Sequence, residues 1–185
     1  MADRRSAWAH ATGVHAAAAD DLVAMVRALA DDAWRRPIAE GKWTPAEIVH
    51  HLNLTYDVAI REMEGGAGMA IRTKPWQRIL LRATVGRRIL RGKGFPRAAP
   101  APREIRPEGD PGTRDEALAG FHARRQRFER AAEETRTARP DARFTHAYFG
   151  PSSLADGVLM VGRHLQHHTA QLRGVAEATA VPHPA

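Results

Sequence analysis

Hydrophobic residues recur at three- and four-residue spacing along four long stretches of the chain, as they do in helices that bury one face. The stretches are rich in Ala, Leu, Arg and Glu, which also favour helix. They predict four helices, at about residues 11–34, 45–64, 113–135 and 154–178. No alternating pattern typical of strands accompanies them. The predicted fold class is therefore all-α, with helices packed on helices as a four-helix bundle.

The start of the second helix gives the clearest local signal. Thr44 is predicted as its N-cap, a proline follows, and Glu47 completes a capping box with Thr44. Two glycines at 65–66 end this helix. The fourth helix is predicted to be capped by Ser152 or Ser153.

A long crossover of about residues 65–112 separates the second and third predicted helices. It is predicted to contain a short helix over residues 76–90 and then a loop rich in proline and glycine over residues 95–112. The length of 185 residues is typical of one domain. We therefore expect a single domain over residues 1–185.

The formal net charge of +7 is concentrated in this crossover. Residues 65–103 contain ten cations and no acid, whereas the rest of the chain has 18 basic and 21 acidic residues. We call residues 65–112 the basic crossover. One interpretation is a solvated lid over the open end of the bundle. The alternative is a module that binds anions or nucleic acid, although no recognised motif supports specific nucleic-acid binding and the body is mildly acidic.

The short predicted helix of the basic crossover combines a tryptophan with arginines. Trp76 is followed by Arg78 and Arg82, which are four residues apart, and by aliphatic residues. This combination is typical of helices that lie on membrane surfaces and of anion-binding lids. Trp76 is therefore a candidate substrate contact.

Composition excludes several classes of site and of protein. The chain has no cysteine, so that disulfides, cysteine-ligated zinc and a cysteine nucleophile are excluded. No apolar run reaches the length of a membrane span. Histidines and aspartates interrupt the N-terminal stretch, which therefore has no signal-peptide core. We expect a cytoplasmic protein in which any metal is bound by histidine or carboxylate.

Histidines on two predicted helices supply the candidate chemistry. His164 and His168 are four residues apart, so they project from one face of the fourth helix. His168 lies in the apolar stripe, where an unpartnered imidazole would cost about 1–3 kcal/mol. His51 follows Ile48 by three residues and lies beside the core face of the second helix. Two interpretations of His51 stay open: a metal ligand, or a core histidine bonded to a carbonyl or to a carboxylate such as that of Glu47.

The remaining histidines have less context. We expect His50 and His167 to be exposed to solvent. Four others are expected on the surface: His10, His15, His122 and His183.

Three segments together resemble the DinB/YfiT-like superfamily. They are Trp43-Thr-Pro-Ala-Glu-Ile-Val-His-His51-Leu, Thr145-His-Ala-Tyr-Phe-Gly150, and His164-x-x-x-His168-x-x-Gln171-Leu. In order and spacing the resemblance covers nearly the whole chain. It implies a bundle with a long crossover between helices 2 and 3, and a three-histidine metal site. The chain departs from the family's pattern at His146, which is followed by Ala147 where a proline is usual.

The resemblance assigns the metal ligands residue by residue. The family's ligand on the second helix directly precedes a leucine, which implies His51 rather than His50; His164 and His168 follow from the last helix. Three imidazoles without cysteine suit zinc, nickel or iron. They also leave coordination positions open to water or to a thiol, whose pKa the metal would lower.

Superfamily members of known activity include thiol-dependent transferases and isomerases. The resemblance therefore implies a metal-dependent transferase, isomerase or hydrolase that acts on a small molecule, with a low-molecular-weight thiol as cofactor. Dimers are usual among the relatives, so a homodimer is expected. The alternative is a metal-stabilised structural or regulatory bundle without turnover.

No residue near the expected ligands is singled out as a general base, so the catalytic residues stay unassigned. Glu47 and Gln171 are candidates to support the ligands by hydrogen bonding. Asn53 and Tyr148 are candidate substrate contacts.

Overall fold

Four long helices form a bundle in the computed structural model, which describes residues 2–96 and 101–180. They are α1 (Ala2–Ala28), α2 (Pro45–Met63), α5 (Arg114–Ala138) and α6 (Leu154–Ala180). Helix α1 packs along α6, and α2 packs along α5. The predicted all-α fold class and four-helix bundle are confirmed.

Buried apolar residues from all four helices share one core. Tyr56 of α2 lies at its centre, with ring centroids 5.3 Å from Phe121 and 5.2 Å from Phe128 of α5. Glycine allows α6 to approach α1 closely, because a Cβ at Gly162 would lie 2.9 Å from the Cα of His15. This close approach fixes α6 against α1 just before the expected ligands of the last helix.

The first helix differs from its prediction at both ends. It begins at Ala2 rather than near residue 11, and it ends at Ala28 rather than at residue 34. Ala30 adopts an extended conformation, and a single 3-10 turn, Asp31–Ala33, follows it. The alanine-rich N-terminus sustains helix although its apolar periodicity is weak, which explains why the predicted start was too late.

The expectation of no strands is wrong. Strands β1 (Arg143–His146) and β2 (Gly150–Ser153) pair antiparallel directly before α6. Gly150 has φ of 68°, a conformation that favours glycine. Each strand has only four residues, too few for an alternating pattern to stand out in the sequence.

The basic crossover contains the predicted short helix with an irregular middle. Helix α3 (Pro75–Leu81) continues through a π-helical turn (Arg82–Gly86) into α4 (Arg87–Leu90). A 3-10 turn, Arg103–Ile105, interrupts the part predicted as loop. Within the described residues, no helix combines the length and the apolar character needed to cross a membrane.

Candidate metal centre

Local hydrogen bonds fix the helices that bear the three histidines. At the start of α2, the Thr44 hydroxyl accepts from the Glu47 N–H at 3.1 Å, and the Glu47 carboxylate accepts from the Thr44 N–H at 2.7 Å. The predicted capping box is therefore confirmed. At the start of α6, Ser153 Oγ accepts from the Asp156 N–H at 3.1 Å. These caps fix the residue at which each of the two helices begins.

The structure brings His51, His164 and His168 together. The Nε2 atom of His164 lies 3.1 Å from Nε2 of His51 and 3.0 Å from Nε2 of His168. Ligands in a tetrahedral zinc site lie about 3.3 Å apart, given Zn–N bonds of about 2.0–2.1 Å. The three nitrogens are thus spaced as ligands of one ion.

Hydrogen bonds behind the cluster orient two of its rings. His51 Nδ1 lies 2.5 Å from the carbonyl oxygen of Ile105. A carbonyl only accepts, so this nitrogen carries the proton and Nε2 keeps its lone pair. His168 Nδ1 donates to Gln171 Oε1 at 2.8 Å with the same result. Such outer hydrogen bonds are usual for histidines that bind a metal.

Burial keeps the cluster neutral. Burial lowers the pKa of His51 to about 4, and the carbonyl of Ile105 opposes this only in part. Burial and the neighbouring imidazoles hold the pKa values of His164 and His168 well below 6.5. Neutral imidazole is the form that binds a metal.

The donor set fits a divalent transition metal. The Nε2 lone pairs of His51 and His168 both face Nε2 of His164. Even if that atom carries a proton, its single N–H can donate a hydrogen bond to only one of the two. A cation between the rings would engage all three lone pairs. Imidazole ligands suit zinc, nickel and iron alike, so the donors do not select one metal.

The cluster lies on the wall of a cavity of about 710 Å³. The other described lining residues are mainly apolar and come from the loop before α2, from α2 and α6, from the β1–β2 hairpin and from the basic crossover. Trp43 packs on His51 with ring centroids 4.8 Å apart, and Phe95 packs on His164 at 5.4 Å. Among the described lining residues there is no carboxylate. The volume is that of a small-molecule site.

The residues proposed to surround the ligands have different positions. Gln171 lies beside His168, and Tyr148 lines the cavity. Glu47 engages the N-terminus of α2 instead, and His51 uses the carbonyl of Ile105. Asn53 is buried against α5, where its amide donates to the Ala117 carbonyl at 3.3 Å. Trp76 is 63% exposed, and neither it nor Asn53 is among the residues lining the cavity.

Two histidines in the cavity wall were not singled out from the sequence as site residues. His146 stacks on Phe149 at 4.3 Å and accepts a hydrogen bond from the Tyr148 N–H at 3.2 Å; burial lowers its pKa to about 4. His167, expected to be exposed, is half-buried and lies 3.2 Å from Gln171 Nε2. Only the two-strand pairing places His146 here, and that pairing left no pattern in the sequence.

The remaining histidines include one clear correction. His15, expected on the surface, is 2% exposed and hydrogen-bonds to Tyr56 at 2.8 Å. It shares a helical stripe with Ala11, Ala18 and Leu22, a spacing that could have revealed it. His50 and His122 are half-buried, and His10 is exposed. Position 183 lies outside the described residues.

Comparisons with known proteins agree with this fold. The family model of the DinB superfamily matches residues 15–172. Among solved structures, the crystal structure of TT2238, a four-helix bundle protein, is similar with a TM-score of 0.53 and 23% sequence identity. The match covers 90% of this chain and 98% of that chain, and at this identity it supports the fold alone. No curated protein matches the sequence significantly.

Proposed function

The chain belongs to the DinB superfamily, and on that premise we propose that His51, His164 and His168 bind one divalent transition metal that activates a low-molecular-weight thiol. The reaction would be thiol-dependent transfer to, or isomerisation of, a small molecule. The observation that supports this proposal is the convergence of three buried Nε2 atoms, two of them with their outer nitrogens already hydrogen-bonded.

The bound metal would supply a Lewis acid that lowers the pKa of a thiol or of water. The protein side chains orient and enclose this centre. The Ile105 carbonyl and Gln171 hold two imidazoles in the tautomer that binds a metal. Trp43 and Phe95 pack over the rings and keep water away from them. Gln171 also donates to His167, which fixes the amide orientation that His168 requires.

The cavity favours a largely apolar substrate. Its described wall offers no carboxylate, and the two imidazoles there outside the ligand set, His146 and His167, already accept hydrogen bonds from N–H groups, so that neither presents a free lone pair as a base. Because His146 accepts from a backbone N–H through Nδ1, its proton is on Nε2, and the neutral ring is a donor to a substrate oxygen. A reaction in the cytoplasm, where thiols stay reduced, is consistent with this chemistry. A homodimer stays our expectation.

The absence of a carboxylate from the described cavity wall favours one alternative: a metal-stabilised bundle without turnover. In that case the metal would join α2 to α6, and the cavity would take no thiol. A measurement of thiol binding distinguishes the two functions. Cobalt(II) substituted for the native metal would acquire a thiolate-to-metal charge-transfer band only if a thiol enters the coordination sphere.

Elemental analysis of protein purified without an affinity tag tests the site. We expect about one equivalent of a transition metal in the wild type and almost none in His168→Ala. His10→Ala is the matched control, because it removes an exposed imidazole that belongs neither to the cluster nor to the described cavity wall, and it should retain the metal. Equal metal content in wild type and His168→Ala would refute the assigned ligands.

A further inference from the structure

The outer face of the basic crossover exposes large apolar side chains. Within the described residues, all four large hydrophobic side chains classed as exposed lie in this segment: Ile71 at 43%, Trp76 at 63%, Ile79 at 72% and Leu80 at 55%. Three of them follow the helical spacing i, i+3, i+4 along α3, so they form one patch. Exposed apolar patches of this kind mark interaction sites.

Packing against the bundle holds this patch outward. The opposite side of the same helical rod lines the cavity through Leu81, Val85 and Ile89. Hydrogen bonds also tie the segment to the β1–β2 hairpin: the Arg72 N–H donates to the Ala147 carbonyl at 2.8 Å, and Arg82 donates to the Pro151 carbonyl at 3.0 Å. The inner face of this helical rod thus lines the cavity, and its outer face packs against nothing within the described part of the chain.

Unpaired cations surround the patch. Lys74, Arg87 and Arg88 are exposed, and the described residues include no acidic partner for them. The crossover up to residue 103 contains no acid at all. The charge therefore favours an anionic partner. A second copy placed symmetrically on the same patch would bring like charges together, which opposes an isologous dimer here.

We propose that this patch binds the surface of an anionic membrane, with Trp76, Ile79 and Leu80 inserted at the level of the headgroups and the neighbouring cations on lipid phosphates. A tryptophan and aliphatic residues flanked by arginines and lysines are what such a surface requires. Membrane binding would place the wall of the cavity directly above the lipid surface. The proposal is independent of the metal site.

Sedimentation with lipid vesicles tests it. One vesicle preparation is pure phosphatidylcholine, and the other contains equal parts of phosphatidylcholine and phosphatidylglycerol. We expect binding to the anionic vesicles only, weakened by added salt. The variant Trp76→Ser/Ile79→Ser/Leu80→Ser should lose this binding and keep the circular dichroism and metal content of the wild type. Wild type that stays unbound on anionic vesicles would overturn the proposal.

Matched charge reversals separate local from overall charge. Arg87→Glu/Arg88→Glu should weaken binding to anionic vesicles by more than about tenfold, because each cation near the lipid surface adds to the free energy of binding. Arg5→Glu/Arg130→Glu changes the net charge equally on exposed arginines of α1 and α5 and should bind like wild type. Equal weakening in both variants would contradict a specific surface.

Two other occupants of the patch would also overturn the proposal. If the serine variant converts a wild-type dimer into a monomer in analytical ultracentrifugation, a second copy covers the patch. If the wild type binds duplex DNA with steep salt dependence but ignores anionic vesicles, the cations recognise nucleic-acid phosphates.

Discussion

The bundle body and the basic crossover place their apolar and charged side chains in opposite ways. In the body, the large apolar side chains are buried, and arginines such as Arg125 and Arg127 pair with Asp20 and Glu64, each at 2.6 Å. In the crossover, Trp76 and its apolar neighbours are exposed, and several cations lack an acidic partner within the described residues. The body buries its apolar side chains and holds the candidate metal centre, whereas the crossover leaves apolar and cationic side chains exposed.

Removal of the metal should affect the body most strongly. A ligand present at about a thousand times its Kd stabilises the folded state by about 4 kcal/mol, since the unfolded chain lacks the site. For a chain of this size we expect a chelator to lower Tm by roughly 10 °C. The shift should be unchanged in Trp76→Ser/Ile79→Ser, because the patch does not support the body. A metal-loaded protein with the same Tm before and after chelation would contradict this difference.

Acid should destabilise the body through His15. Burial lowers the pKa of His15 to about 4, with smaller effects of Arg125 and Asp20, while its ordinary value is 6.5. The unfolded chain therefore binds a proton that the fold excludes, and stability is lost as pH falls from 6.5 to 4. The shift corresponds to about 3 kcal/mol.

A double variant isolates this effect of His15. His15→Leu/Tyr56→Phe removes both polar partners of the buried hydrogen bond and so leaves neither unsatisfied. In metal-free protein, we expect the free energy of unfolding of the variant to fall by about 3 kcal/mol less than that of wild type between pH 6.5 and 4. Glu129, 3.6 Å from His15, is still present in both proteins. Parallel pH profiles would show that His15 is not the group responsible.

Close packing of α1 on α6 predicts a smaller loss. In Gly162→Ala the added methyl group would meet the backbone of α1 at His15, so we expect the free energy of unfolding to fall by about 2 kcal/mol. Gly174→Ala on the same helix is the matched control. It has open space around it, and alanine should raise stability by about 0.5–1 kcal/mol. Denaturation by urea measures both, and equal changes would mean that the two helices are not in close contact.

Helix caps give the smallest expected effect. Thr113 accepts from the Glu116 N–H at the start of α5, so Thr113→Ala should cost about 1 kcal/mol. Gln77 accepts from the Lys74 N–H at the start of α3, where the helix is exposed and short. We expect Gln77→Ala to cost less than about 0.5 kcal/mol. A larger loss for Gln77→Ala would show that the crossover contributes to global stability as the body does.

The sequence predicted features that local chemistry determines. The Thr44–Glu47 capping box and the periodic stripes placed α2 and α6, and the i, i+4 spacing placed His164 beside His168. His51 could be chosen over the core-histidine interpretation only through the family resemblance. The family resemblance did not reveal that His146 lies in the cavity wall, because that position depends on the pairing of two four-residue strands.

Long-range contacts account for the other differences. His51 engages the Ile105 carbonyl, 54 residues away in the crossover, whereas Glu47, the candidate within one helical turn, is occupied by the cap. The His15 side chain is buried against Tyr56 and Phe128, on two other helices, although its spacing along α1 already marked a core position. Pairing between distant segments is set by the assembled fold, which spacing along one helix does not encode.

X-ray absorption at the edge of the bound metal tests the central claim most directly. We expect three imidazole nitrogens at about 2.0–2.1 Å, and one light scatterer that is replaced by sulfur at about 2.3 Å when a low-molecular-weight thiol is added. His168→Ala, reloaded with the same metal, should show fewer imidazoles if it binds at all. Three imidazoles and an unchanged spectrum with thiol would support the metal-stabilised alternative. Fewer than three in the wild type would contradict the assigned site itself.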